Sequence, residues 1–279
     1  MTWHTIGQER AIAALRNDLA GGQLAHAYLF TGPAQAGKAT LALELAQALN
    51  CMADVDERPC QACTSCTRIA RKHHADVEVF DSRSPCDVAD HNHERDSTGA
   101  VRICQIRRVE RQAYQAPFEG TTRLVIIDPA DALTNEAANA FLKTLEEPPA
   151  NTVLVLVAVD AEGILPTVRS RCRTVALSAV PAPQLAAAMV AQWGASSEEA
   201  DRLARMARGR PGWARTALED EGVLLEHEAL LDRIEALAAA PRDERLAYAE
   251  SLAERWFSHR ATVQEELAVW RAWWRDVLV

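Results

Sequence analysis

No run of about 18 apolar residues occurs in the chain, which excludes a membrane-spanning helix. The opening residues, Met1-Thr2-Trp3-His4, lack the basic start and apolar core of a secretory signal, so a cytoplasmic location and no membrane partner are expected. Positive charge is also in deficit: 30 Lys and Arg against 39 Asp and Glu leave a net charge of −9. That balance argues against a protein that grips DNA by bulk charge, although a local basic strip remains open. In a reducing compartment the seven cysteines point to metal ligation or core packing rather than disulfides. What is present is ordinary for a globular protein, with 48% hydrophobic and 25% charged residues. A length of 279 residues suits two domains, or one large domain with an appendage.

Thr5 to Leu19 carries apolar residues near helical spacing and ends at Gly21-Gly22, which predicts a helix. The apolar run Ala27-Tyr28-Leu29-Phe30 then passes into Gly32-Pro33-Ala34-Gln35-Ala36-Gly37-Lys38, followed by an alanine- and leucine-rich helix through Leu49. Strand, glycine loop, lysine and helix in that order are the context a phosphate-binding P-loop requires. Gly32 and Gly37 would let backbone N–H groups converge on phosphate oxygens, the helix N-terminus adds partial positive charge, and Lys38 would reach the outer phosphates of ATP or ADP. Two groups that hydrolysis needs are missing. The residue after Lys38 should offer a hydroxyl to Mg²⁺ but is Ala39, with Thr40 one step late on another helix face. The β-branched run Leu124-Val125-Ile126-Ile127 presents Asp128 to the metal shell. The next residue, where an ATP-hydrolysing member needs a glutamate to polarise water, is Pro129, and Asp131 is displaced by two. Gly32, Gly37, Lys38, Thr40 and Asp128 are therefore assigned to a degenerate nucleotide site that does not turn over.

Cys60, Cys63 and Cys66 recur at two-residue gaps, with Cys51 upstream. Four such thiolates make a tetrahedral set with no position for water, so a structural Zn²⁺ is expected. His73, His74, His91 and His93 are rival ligands, but their polar neighbourhood reads as solvated surface. Residues 81–100 are polar, rich in His and Asp, and read as a mobile loop in which Cys86 has no partner spacing. Beyond Val101, Ile103, Ile106, Val109 and Tyr114 mark a helix decorated by Arg102, Arg107, Arg108 and Arg111, read chiefly as a solvated face. Thr134 can cap a helix running to Glu147, and Pro148-Pro149 stops it. Val153 to Val159 is apolar throughout, as a buried parallel strand should be, and Thr174 to Leu177 is a further short strand.

At Gly7-Gln8-Glu9, His26 to Phe30, the P-loop, the cysteine cluster, Ile127 to Leu133, Leu142-Lys143-Thr144-Leu145-Glu146-Glu147-Pro148-Pro149 and Ser170-Arg171-Cys172, the chain resembles the clamp-loader branch of the AAA+ ATPases, as found in bacterial DNA polymerase III. The likeness covers residues 1–215 well and the rest loosely. It implies an α/β plus all-α fold. Residues 1–178 would be an AAA+ P-loop domain with a parallel five-stranded sheet and a zinc-binding insertion at about 51–66. Residues 179–218 would be a small helical lid, and 219–279 a helical collar shorter than the family's. It also implies a five-part arc in which gamma/tau motor subunits bind ATP at subunit boundaries, beside a delta subunit, to load the beta sliding clamp on primed DNA. In that arc Arg171 would be the arginine finger that completes a neighbour's ATP site. Where the motors carry a polar sensor on the fourth strand this chain has Ala158 and Val159. Where their lid carries a γ-phosphate arginine it has Gly212, with Arg210 and Arg215 nearby.

Beyond about Glu219 the pattern is helical throughout: Leu224 to Leu237, then Leu246 to Phe257, then Val263 to Leu278, with Trp256, Trp270, Trp273 and Trp274 packing helix on helix. The reading that results is a stator-like, non-hydrolysing clamp-loader subunit. Two alternatives stay open: an active ATPase motor of gamma/tau type, and a zinc-stabilised DNA-binding module.

Overall fold

The computed structural model describes residues 3–88, 91–93, 99–256 and 258–278. Parts of the predicted polar loop (89–90 and 94–98), Phe257 at the end of a predicted helix, and the first two residues lie outside that set. The chain divides after residue 214 into two compact units.

The larger unit begins with α1 (Glu9–Ala20), β1 (Ala27–Thr31), α2 (Lys38–Asn50), α3 (Thr64–Ala70) and β2 (Val77–Phe80). It continues with α4 (Ile103–Ala113), β3 (Arg123–Ile127), α5 (Asn135–Glu146), β4 (Thr152–Val157), α6 (Pro166–Arg169) and β5 (Arg173–Ala176). The five strands are parallel and ordered β2-β3-β4-β1-β5. The three central strands are buried along their whole length because apolar residues occupy both faces. Leu29, Val125, Ile127, Leu154 and Leu156 face one core with Phe141 and Leu145 of α5 and Ile106 and Val109 of α4. Tyr28, Phe30, Leu124, Ile126, Val153 and Val155 face the other, with Leu15 of α1 and Leu41 and Leu45 of α2. That period-two sorting onto two helix-covered faces is why the strands read as continuous apolar runs. It also places the ends of β1, β3 and β4 together at one edge, where the loops carrying the site emerge.

The helix predicted from Thr5 begins only at Glu9. Thr5 is instead held by Glu44, whose carboxylate accepts from the Thr5 amide at 3.2 Å and its hydroxyl at 2.5 Å. Gln8 turns its side chain onto the Ser178 backbone at 2.7 and 3.0 Å. Long-range bonds thus take these residues away from the helix. The fifth strand, β2, is only four residues long and stands at the sheet edge. The predicted strand over 153–159 stops at Val157. Thr134 does cap α5, its side chain accepting from the Ala137 amide at 3.2 Å. After β5 come α7 (Ala182–Trp193), α8 (Ser197–Ala207), capped by Ser196, and α9 (Pro211–Glu219), which runs across the division.

The smaller unit holds α10 (Glu221–Ala239), α11 (Arg242–Trp256) and α12 (Arg260–Leu278). Trp270 of α12 donates its indole N–H to the Tyr248 hydroxyl of α11 at 3.0 Å, and their rings lie 5.8 Å apart. Trp270 thus packs helix on helix as its spacing predicts, whereas Trp274 is exposed.

Candidate functional site

The loop between β1 and α2 takes a shape that two glycines make possible. Gly32 has φ +140°, and a Cβ there would lie 2.4 Å from the Leu177 carbonyl oxygen. Gly37, at φ +99°, is the left-handed residue that starts α2. Both positions are closed to L side chains on steric grounds. Lys38 is buried, and its Nζ donates to the carbonyls of Gly32 and Pro33, each at 2.6 Å. Burial pulls its pKa down, while the charges of Asp128 and Asp131 oppose that shift. Asp128 follows β3 as predicted; burial pushes its carboxyl up, and Lys38 draws it back. Gly32, Gly37, Lys38 and Asp128 therefore converge. Thr40 is exposed on α2, and Ala39, half-buried, offers no hydroxyl.

The start of α9 lies directly on this loop. The Gly212 amide donates to the Gln35 carbonyl at 3.0 Å, and a Cβ on Gly212 would come within 3.1 Å of the Gln35 Cβ. Arg210 is turned away onto its own segment, with Nε donating to Ala207 O at 3.0 Å and the guanidinium 5.6 Å from the Trp213 ring. At the end of β4, Ala158 is buried and the Val159 carbonyl accepts from the Gly32 amide at 3.2 Å.

Two further motifs meet on the surface. Arg171 follows α6, and its Nε and Nη2 donate to one oxygen of Glu146, at the end of α5, at 2.9 and 2.5 Å. Its Nη1 donates to Thr167 O at 2.8 Å and Ser170 Oγ at 3.2 Å. The side chain stays 34% exposed. Cys172 points the other way, against the sheet core, and burial pushes its thiol up to about 12. The Ser-Arg-Cys run thus anchors through Cys172 and displays Arg171, the residue before it. Of the two flanking arginines, Arg173 pairs with the buried Asp18 at 2.7 Å.

Cys51 ends α2, Cys63 caps α3 and Cys66 lies in its first turn, so the four predicted ligands Cys51, Cys60, Cys63 and Cys66 tie two helices together. Their sulfurs all lie within 4.8 Å of one another and could hold a metal ion. Amide N–H groups of Cys60, Cys63 and Cys66 point at sulfurs at 3.3 to 3.4 Å. The amides of Ala62 and Cys63 bring Cys60 down to about 6, whereas burial raises Cys51 and Cys66. Such N–H donors stabilise thiolates, and a sulfur-only tetrahedron suits Zn²⁺.

Two of the four histidines depart from the surface reading, whereas His73 and His91 are exposed as expected. His74 is buried, its Nε2 3.2 Å from Ser65 Oγ and its Nδ1 accepting from the Asp76 amide at 3.1 Å. His93 is also buried and lies with His91, Cys86 and Cys104, a grouping that the sequence reading missed because Cys86 shows no partner spacing. The described part of the polar loop is held by α4, where Arg108 and Arg111 both pair with Asp87, while Arg102, Arg107 and Arg111 are themselves exposed, as a solvated face expects.

The family model described as DNA polymerase III, delta subunit matches residues 7–181. DNA polymerase III subunit delta' of Pseudomonas aeruginosa is 31% identical over 252 residues, covering 88% of this chain and 70% of that protein. DNA polymerase III subunit gamma/tau of Mycobacterium tuberculosis is 34% identical over 166 residues, 60% of this chain and 26% of that protein. The chain therefore spans about a quarter of the length of the gamma/tau relatives it matches. Among solved structures, a DNA polymerase III gamma subunit-related protein of Thermotoga maritima aligns with TM-score 0.49 and 21% identity, over 89% of this chain and 67% of that one.

Proposed function

The chain belongs to the DNA polymerase III delta subunit family of clamp-loader proteins, and from that premise we propose that it is the delta-prime-type subunit, which does not hydrolyse ATP and lends Arg171 to a neighbour's site. The neighbours would be gamma/tau motor subunits and a delta subunit, acting in the cytoplasm on the beta sliding clamp and primed DNA. Residues 1–178 would form the P-loop domain, 179–218 its lid and 219–279 the collar that holds the arc. Cys51, Cys60, Cys63 and Cys66 would hold a structural Zn²⁺ that fixes the loop between α2 and α3.

The observation that carries this reading is the way Arg171 is offered. Its guanidinium is part-exposed and aimed by Glu146, Thr167 and Ser170. A planar fork held by one carboxylate can exchange that partner for phosphate oxygens without unburying anything. The guanidinium would neutralise charge that develops on the transferred phosphoryl group. In contrast, the chain's own loop supports ATP or ADP binding at most. Lys38 is satisfied by loop carbonyls, Ala39 and Pro129 supply neither hydroxyl nor acid, and Gly212 sits on Gln35.

The test is Arg171→Ala in a loader reconstituted with gamma/tau-type and delta-type subunits. A finger supplied in trans is worth about 10³–10⁵ at the site it completes, so DNA-stimulated ATPase should lose that site's whole share. Assembly, read by sedimentation, should be unchanged. An unaltered rate in the intact complex would sink the role. The identity of the gamma/tau relatives motivates the second reading, a motor subunit. Mg²⁺-dependent turnover by the chain alone, abolished by Lys38→Ala, would move the assignment there.

A further inference from the structure

We propose that Cys86, His91, His93 and Cys104 form a second structural metal site, for Zn²⁺, separate from the four-cysteine set. One ligand atom from each of the four lies within 4.8 Å of all the others. Cys86 Sγ is 3.6 Å from His91 Nδ1 and 3.3 Å from His93 Nε2, and Cys104 Sγ is 3.3 Å from the same His93 nitrogen. A zinc tetrahedron with Zn–S of about 2.3 Å and Zn–N of about 2.0–2.1 Å has S···N edges of roughly 3.5 Å. The spacings are those of ligands around a shared centre.

The donor set also fits the ion by charge. Two thiolates neutralise Zn²⁺ and two neutral imidazoles complete the shell, leaving no open position for substrate or water. On binding, each thiol passes its proton to solvent as its sulfur bonds the ion, and each imidazole donates a lone pair, so no redox partner is needed.

Contacts that need no metal bring the ligands together. Gln105, buried one residue beyond Cys104, donates through Nε2 to the carbonyls of Asp81, Ser82 and Ser84 at 3.1, 3.1 and 2.7 Å. Arg108 and Arg111 hold Asp87, next to Cys86. The start of the loop is thus pinned along α4, and Cys86 is delivered to Cys104. The loop has little apolar material with which to bury a histidine, yet His93 is buried. A metal centre accounts for this, and for the density of His and Cys in a stretch otherwise built mainly of polar residues.

The test is metal content of the whole chain, purified without added metal and desalted, measured by plasma mass spectrometry. Wild type is expected to carry two zinc ions, and Cys86→Ser with Cys104→Ser should remove one while Cys60→Ser with Cys63→Ser removes the other. Zinc content unchanged by the Cys86/Cys104 pair, or a Cys86–Cys104 disulfide in the freshly purified protein, would overturn the proposal. Should the serine variant aggregate, cobalt replacement in wild type decides. Thiolate–imidazole and all-thiolate Co²⁺ centres have different visible bands, and a spectrum with only the all-thiolate bands rejects the second site. These readouts are independent of ATPase activity and of Arg171.

Discussion

The carboxylate of Asp76 is fully buried and accepts from the amides of Phe118, Glu119 and Gly120 at 2.6, 2.9 and 2.8 Å, with Arg123 Nη2 3.2 Å away. Burial alone would raise its pKa, but the three amides and the guanidinium outweigh that and hold it below the ordinary 3.8. A depressed carboxylate contributes stability that is complete above its unfolded pKa and lost as pH falls through its folded pKa. Denaturant midpoints should therefore drop on the acid side, below about pH 4. Asp76→Ala should cost about 3–5 kcal/mol at neutral pH, because Arg123 is left buried without its partner, and should flatten that acid-side dependence. Urea titrations of both proteins at neutral and acid pH check it, and equal midpoints at pH 7 would refute it. No local pattern marks Asp76, because its partners come from a loop more than 40 residues on. Gly32, Gly37 and Lys38 were legible because their chemistry is carried by adjacent residues on one turn.

Elements whose stability is local were readable and those held from a distance were not. Thr134 capping α5 and the unbroken apolar runs of β3 and β4 announce themselves. Thr5 and Gln8 look helical but are captured by Glu44 and Ser178. The four-residue edge strand β2 is too short to show a period. Helix α3 is the extreme case, since seven residues are too few for an isolated helix in water. Cys63 at its cap and Cys66 in its first turn suggest that metal ligation holds it. Cys60→Ser should release one metal ion and abolish hydrogen-exchange protection of the α3 amides, while the amides of β1 and β4 stay protected. Retained protection in the metal-depleted variant would show that packing of Ile69 suffices. Metal held at the four cysteines should be released as the pH falls, because protons compete with it for the sulfurs.

At the scale of the whole chain, the two units differ in how they are held. The larger has two apolar cores on either side of a parallel sheet. In the smaller, the large apolar side chains buried among the described residues are Leu224, Ile234, Val263 and Val269, while Leu225, Leu246, Leu267 and Trp274 are exposed. Its interior leans on a polar network instead: the Tyr248 hydroxyl bonds Glu266 and accepts from Trp270, and Arg255 pairs with Glu266 at 3.0 Å. A unit of that size with so little apolar burial is marginal by itself. The isolated chain should therefore unfold in two steps, the smaller unit first. Trp256, Trp270, Trp273 and Trp274 place four of the seven tryptophans in that unit, so fluorescence should change at lower denaturant than far-ultraviolet dichroism. Tyr248→Phe removes the hydroxyl and leaves the Trp270 N–H and Glu266 each short of a partner, at a cost of about 1–3 kcal/mol. That cost should move the first step alone, because the hydroxyl's partners all lie within the smaller unit. Coincident transitions in the two signals, or an equal shift of both steps in the variant, would mean that the units fold as one.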